Sequence, residues 1–255
     1  MEKLRIVTTS WDDGDRIDLK VAEMLRSREV SGTFYVPITP YRERPALSHE
    51  ELRSLTAEGF EIGAHGYSHQ DLWKLSAPEL AAEISPCKPM LEDILGTEVR
   101  MFCYPKGRYD ANVIHAVKDA GYWGARTVRM LATRLQFNPF EMPTTVQVIP
   151  HSHYNYIKNV ARARKLEGLQ VYLAQRKRLG NWLELGKELF DSVMANGGIW
   201  HLYGHSREIE EMGLWNDLGE ILDYVSQRKD VMYVPNCELL RLRSPEGRYA
   251  GTAKS

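Results

Sequence analysis

Hydrophobic and polar positions follow two rhythms along the chain. Short apolar runs rich in β-branched and aromatic residues predict strands at 5–10, 32–38, 60–64, 99–104, 122–128, 144–149, 199–203 and 231–234. Between them, apolar residues recur at helical spacing. Leu19, Val21, Ala22 and Leu25 mark a helix over 19–27. Ser48-His49-Glu50-Glu51 fits a capping box, opening a helix that Gly59 should end. Ser76-Ala77-Pro78-Glu79 is a second box, and its helix is expected to break around Pro86 and Pro89. Residues 111–120, 181–196 and 218–227 supply further helices. Repeated strand–helix alternation predicts parallel strands with crossover helices, as a doubly wound sheet or a barrel. No second hydrophobic core or linker is visible, so one domain is expected over 1–243. The stretch 131–180, rich in Arg, Asn, Tyr and Pro, breaks the rhythm as an irregular insertion, and 244–255 reads as a weakly ordered tail.

Composition narrows the field of functions. The chain has 255 residues, 33 basic and 34 acidic, for a formal net charge of −1. Such a chain lacks the basic field of a nucleic-acid binder. Three cysteines without a CxxC pair make neither a disulfide framework nor a zinc knuckle. No apolar run approaches the roughly 20 residues of a membrane span. No leader pattern precedes the first strand, so a cytoplasmic location is expected.

Sites in α/β folds form where strands end. Here those ends carry Asp12-Asp13-Gly14, His65-Gly66-Tyr67-Ser68-His69, Tyr104-Pro105-Lys106-Gly107, Arg126, and His201 through His205. Adjacent carboxylates enter one site only if the strand gives way to a turn, which Gly14 permits. Taken alone, the pair also fits a polar turn or a helix cap. Two imidazoles and one carboxylate suit an open metal site, although a lone HxxxH also fits one surface and one buried histidine.

In this order the segments resemble the polysaccharide deacetylase family (carbohydrate esterase family four, the chitooligosaccharide-deacetylase-like domain). Ser10-Trp11-Asp12-Asp13-Gly14 matches the first motif, and His65 through His69 matches the second, with Gly66 departing from it. Cys103-Tyr104-Pro105-Lys106-Gly107 matches the third without its Arg, and Ile199-Trp200-His201 matches the last. The resemblance implies a distorted (β/α) barrel of seven strands. It also implies a metal-dependent hydrolase of C–N bonds other than peptide bonds, which removes acetyl from an N-acetylated sugar. The sugar would be small or oligomeric, and free, lipid-linked or nucleotide-linked. Asp13, His65 and His69 look like ligands of one divalent metal, with zinc first and cobalt, nickel or iron as alternatives. Asp12 looks like the general base and His201 the general acid. The backbone N–H at Lys106 looks like an oxyanion donor.

Tyr104, Trp11 and His205 read as neighbours of the substrate. Arg126, at the end of the next strand, is the candidate to replace the missing third-motif Arg. The family's fourth motif, an Asp/Trp segment supporting the catalytic His, is not recognisable. Two other readings stand beside this one: a C–N hydrolase of a small non-sugar amide or cyclic imide, and a non-catalytic carbohydrate-binding relative.

Overall fold

In the computed structural model, residues 3–40, 44–163, 166–175 and 180–242 are described. The strands are β1 (Arg5–Asp12), β2 (Thr33–Val36), β3 (Glu61–Ala64), β4 (Met101–Cys103), β5 (Gly124–Arg126), β6 (Val146–Gln147), β7 (Gly198–Gly204) and β8 (Met232–Tyr233). Seven of them lie parallel in the order β5-β4-β3-β2-β1-β7-β6, and β8 is a short addition beside β1. The helices are α1 (Asp18–Arg26), α2 (His49–Ala57), α3 (Ala77–Ile84), α4 (Cys87–Leu95), α5 (Ala111–Asp119), α6 (His153–Ala163), α7 (Leu166–Ala174), α8 (Trp182–Asn196), α9 (Ser206–Met212), α10 (Trp215–Val225) and α11 (Asn236–Leu242).

The sheet curls. Met142 bridges to Arg126 in parallel, and three residues later Thr145 N–H donates to the His201 carbonyl at 2.8 Å. Residues 142–147 therefore span the gap between β5 and β7 and draw the sheet towards a barrel. The seven-stranded distorted barrel expected from the sequence is the fold observed.

β1 is central and buried along almost its whole length, as a parallel strand covered on both faces must be. Its alternation separates two layers. Val7 and Trp11 join the large apolar layer under the helices, and Ile6 joins a smaller cluster inside the barrel with Tyr35, Met101, Cys103 and Ile199. That inner layer also holds polar groups. Asn236, at the start of α11, donates to Thr8 Oγ1 at 2.8 Å, and its Oδ1 accepts from Ser10 and Tyr35 at 2.9 and 2.8 Å. The C-terminal helix thus satisfies hydroxyls of β1 and β2 from within.

Several boundaries differ from expectation. The break near the prolines is real but narrow: α3 ends at Ile84 and α4 starts at Cys87, with Pro86 as its N-cap. The insertion is less irregular than its composition suggests, since it holds α6 and α7. Tail residues 244–255 lie outside the described residues. The three cysteines are buried and free. No helix among the described residues is long and apolar enough to cross a membrane.

Candidate active site

β1 delivers both aspartates to one place because its last residue is followed by two left-handed ones. Asp12 closes the strand and points into the barrel on the face of Ser10. Asp13 has φ 78° and Gly14 φ 62°, which swings the Asp13 carboxylate over the strand end. Gly14 is needed twice over, since a Cβ there would also stand 2.9 Å from Val36 Cγ1. His65 directly follows β3, and His69 follows a tight loop with its own φ of 57°. Glu83 of α3 fixes that loop by accepting from the Ser68 N–H at 2.9 Å and the Ser68 hydroxyl at 2.5 Å.

Asp13 Oδ1 lies 3.6 Å from His65 Nε2 and 3.3 Å from His69 Nε2. It is buried and accepts no hydrogen bond. His65 uses Nδ1 towards the Cys103 carbonyl at 2.9 Å, which leaves Nε2 as the nitrogen with a lone pair at the site. Ligand atoms about 2.0 Å from a tetrahedral centre lie about 3.3 Å apart, so this carboxylate and two imidazoles fit a divalent ion. Asp12, His65 and Cys103 also cluster. Burial pushes the Cys103 thiol up in pKa, so it is a poor thiolate donor and the Asp13 set is the better cage. Burial opposes the charge of Asp13, but the facing imidazoles prevail and hold its carboxyl well below the usual range.

Asp12 is only 3% exposed, and Arg126, fully buried, binds its Oδ1. The guanidinium sits between the rings of Tyr35 and Tyr203, 5.3 and 5.0 Å from their centroids. Burial alone would raise the pKa of Asp12. Arg126, with His65 and His205 beside it, overrides that and lowers it, so the carboxylate is ionised.

A cleft of about 420 Å³ opens over these groups, lined among others by Asp12, Asp13, His65, His69, Tyr104 and His205. Tyr104 stacks on Tyr109 and donates its hydroxyl to the Phe140 carbonyl at 2.9 Å. Lys106 lines the rim in a left-handed conformation, and its ammonium lies 4.0 Å from Asp71. The following Gly107 packs so closely on Val128 that a Cβ there would sit 2.2 Å from a methyl carbon.

Three expected site residues do not line the cleft: Arg126, which stands behind Asp12, and Trp11 and His201. Trp11 is fully buried on the outer face of β1, with Nε1 donating to Thr9 Oγ1 at 3.1 Å, so it is core. His201 lies inside β7, 1% exposed, with Nδ1 3.0 Å from the Pro143 carbonyl and Nε2 2.5 Å from the Ser10 hydroxyl. Register explains the miss. His201 is level with Thr8, whereas Gly204 is level with Trp11. His201 therefore sits four residues, about 13 Å, below Asp12 along the strand direction. Burial and Arg126 also push its pKa down to about 3, which favours the neutral imidazole over the imidazolium a general acid needs. His205, one residue beyond β7, is the histidine level with Asp12, and its Nε2 lies 3.8 Å from Asp12 Oδ2. Sequence reasoning placed His205 near the site without the central role its position suits. The available signal was that it directly follows the strand, as Asp13 and His65 do.

Paired aspartates, two imidazoles and a cleft histidine thus meet at the strand ends of a curled parallel barrel. The polysaccharide deacetylase family is the one the chain resembles, and its model matches residues 2–125. That span holds Asp12, Asp13, His65, His69 and Lys106. Among curated relatives, the chain is 27% identical over 104 residues to the peptidoglycan-N-acetylmuramic acid deacetylase PdaA of Bacillus subtilis, covering 40% of this chain and 38% of that protein. The chain spans less than half the length of the curated relatives it matches. The chitin deacetylase of Colletotrichum lindemuthianum shares the fold, with TM-score 0.60 at 17% identity over 96% of this chain and 92% of that one. A family-four pseudoenzyme from Bacillus anthracis also shares it, with TM-score 0.55 at 16% identity over 93% and 66% of the two chains.

Proposed function

We propose that this chain is a metal-dependent deacetylase that removes acetyl from an N-acetylated sugar. The observation that carries the reading is the buried, unsatisfied Asp13 Oδ1 facing two imidazole nitrogens directly beside an ionised Asp12. Asp13, His65 and His69 would hold the ion, with zinc the first metal to test. When bound, a divalent ion there supplies Lewis acidity towards the acetyl carbonyl and lowers the pKa of a nearby water. Asp12 takes the proton of the attacking water through the oxygen that Arg126 leaves free. The Lys106 backbone N–H at the cleft rim donates to the developing oxyanion. His205, in place of His201, gives the departing amine its proton from Nε2.

Fold alone does not decide activity, since a pseudoenzyme shares it. The test is acetate release from N-acetylglucosamine oligomers after chelation and refilling with zinc, alongside metal analysis. Asp12→Asn is expected to keep its zinc and lose about 10²–10⁴-fold in turnover, whereas His65→Ala is expected to lose the zinc itself. Wild-type protein that binds no divalent ion and releases no acetate would place the chain with the non-catalytic relatives.

A further inference from the structure

The cleft histidine is held from below by a hydrogen-bond chain that the family motifs do not describe. His205 Nδ1 lies 2.9 Å from Glu208 Oε2, and Gln147 Nε2 donates to the same oxygen at 3.2 Å. Gln147 is itself fixed, because its Oε1 faces the Tyr203 hydroxyl at 2.6 Å and His151 Nε2 at 2.9 Å. Turning the amide over would set its carbonyl oxygen against the Glu208 carboxylate, two acceptors facing each other. The orientation is therefore determined, and Glu208 Oε2 stands between two donors. A carboxylate oxygen placed so is an acceptor only. Nδ1 of His205 must then carry its hydrogen in both protonation states, and Nε2, 3.8 Å from Asp12 Oδ2, is the nitrogen that gains and loses a proton.

We infer that Glu208, braced by Gln147, is the positioning residue that fixes the tautomer of His205 and aims Nε2 into the cleft. It would take the place of the supporting Asp of the fourth motif, which is not recognisable in this sequence. The reach is specific to Glu: three residues on, in the first turn of α9, its side chain returns to the residue that caps the helix. The charges around His205 agree. Asp12 and Asp13 face it from β1 and the turn beyond, Arg126 stands behind Asp12, and Glu208 lies beneath. Burial opposes protonation, but Glu208 and Asp12 together raise the pKa to about 9.

This inference rests on the proposed deacetylase reading, so the experiment carries two readouts. The zinc-loaded full chain and its Glu208→Gln and Glu208→Asp variants are assayed for acetate release from N-acetylglucosamine oligomers. Imidazole ¹⁵N spectra of histidine-labelled protein are recorded across pH, with the His205 signal assigned by its loss in His205→Asn. In Glu208→Gln, kcat is expected to fall about 100-fold with KM and zinc content unchanged. The alkaline limb of the pH profile is expected to move to lower pH, and an Nε2–H tautomer absent from wild type is expected to appear. Glu208→Asp, too short to reach, is expected to behave alike. An unchanged Nδ1–H tautomer in Glu208→Gln, or a kcat within twofold of wild type, overturns the inference while leaving the deacetylase reading intact. Failure of the wild-type protein to release acetate overturns that reading instead, and the tautomer spectrum alone then decides what Glu208 does.

Discussion

Arg126 and Asp12 form the most consequential residue pair in the molecule. Both are buried, and the guanidinium binds the carboxylate between two aromatic faces. Removing one member leaves a charge stranded in the barrel, which costs about 3–5 kcal/mol, whereas removing both costs less. Arg126→Met is therefore expected to destabilise by that amount in urea denaturation, and Arg126→Met/Asp12→Asn to recover part of the loss. Equal destabilisation in the two would mean that the pair is not coupled. Arg126 was legible as a candidate because it ends a strand near an aspartate that lacks its family partner. The division of labour between His201 and His205 was not legible, because it depends on how β7 registers against β1. A four-residue shift in register would bring His201 rather than His205 level with Asp12, and nothing local encodes the choice.

At the scale of elements, local chemistry did most of the work. The box at Ser48 forms as its residues suggest: Glu51 N–H donates to Ser48 Oγ at 3.2 Å, and Glu51 Oε2 accepts from the Ser48 N–H at 2.8 Å. Ser48→Ala is expected to cost about 1 kcal/mol in thermal or urea unfolding, with zinc content unchanged. A loss of metal in that variant would mean that α2 supports the site directly. The box at Ser76 forms as well, with Glu79 Oε2 accepting from both the N–H and the hydroxyl of Ser76. Besides α6 and α7 in the insertion, the helices missed from the sequence are α9 and α11, seven residues each and too short to show a repeating apolar stripe. Missing α9 hid Glu208, because its proximity to His205 exists only once that turn is helical.

For the whole molecule, the parallel alternation was enough to reach a barrel, and the order of strand-end motifs selected the family. What the pattern could not give was closure, which is made by an unremarkable run at 142–147 bridging β5 to β7. A metal held by Asp13, His65 and His69 ties β1 to the end of β3 across this curl and would stabilise the folded form. At 100-fold excess over its dissociation constant, zinc is expected to add about 2.7 kcal/mol. For a chain of this size that is a rise in melting temperature of roughly 5–10 °C over chelator-treated protein. The rise should vanish in His65→Ala; its persistence there would place the stabilising ion elsewhere.

Asn236 has a consequence for how this chain comes to fold. Its amide pairs with hydroxyls on residues 8, 10 and 35, so β1 and β2 are completed by a residue 201 to 228 positions further along the chain. Contacts this distant in sequence are late and slow to form. Until they do, β1 holds unpaired polar groups in the barrel, and the partly folded chain is exposed to aggregation.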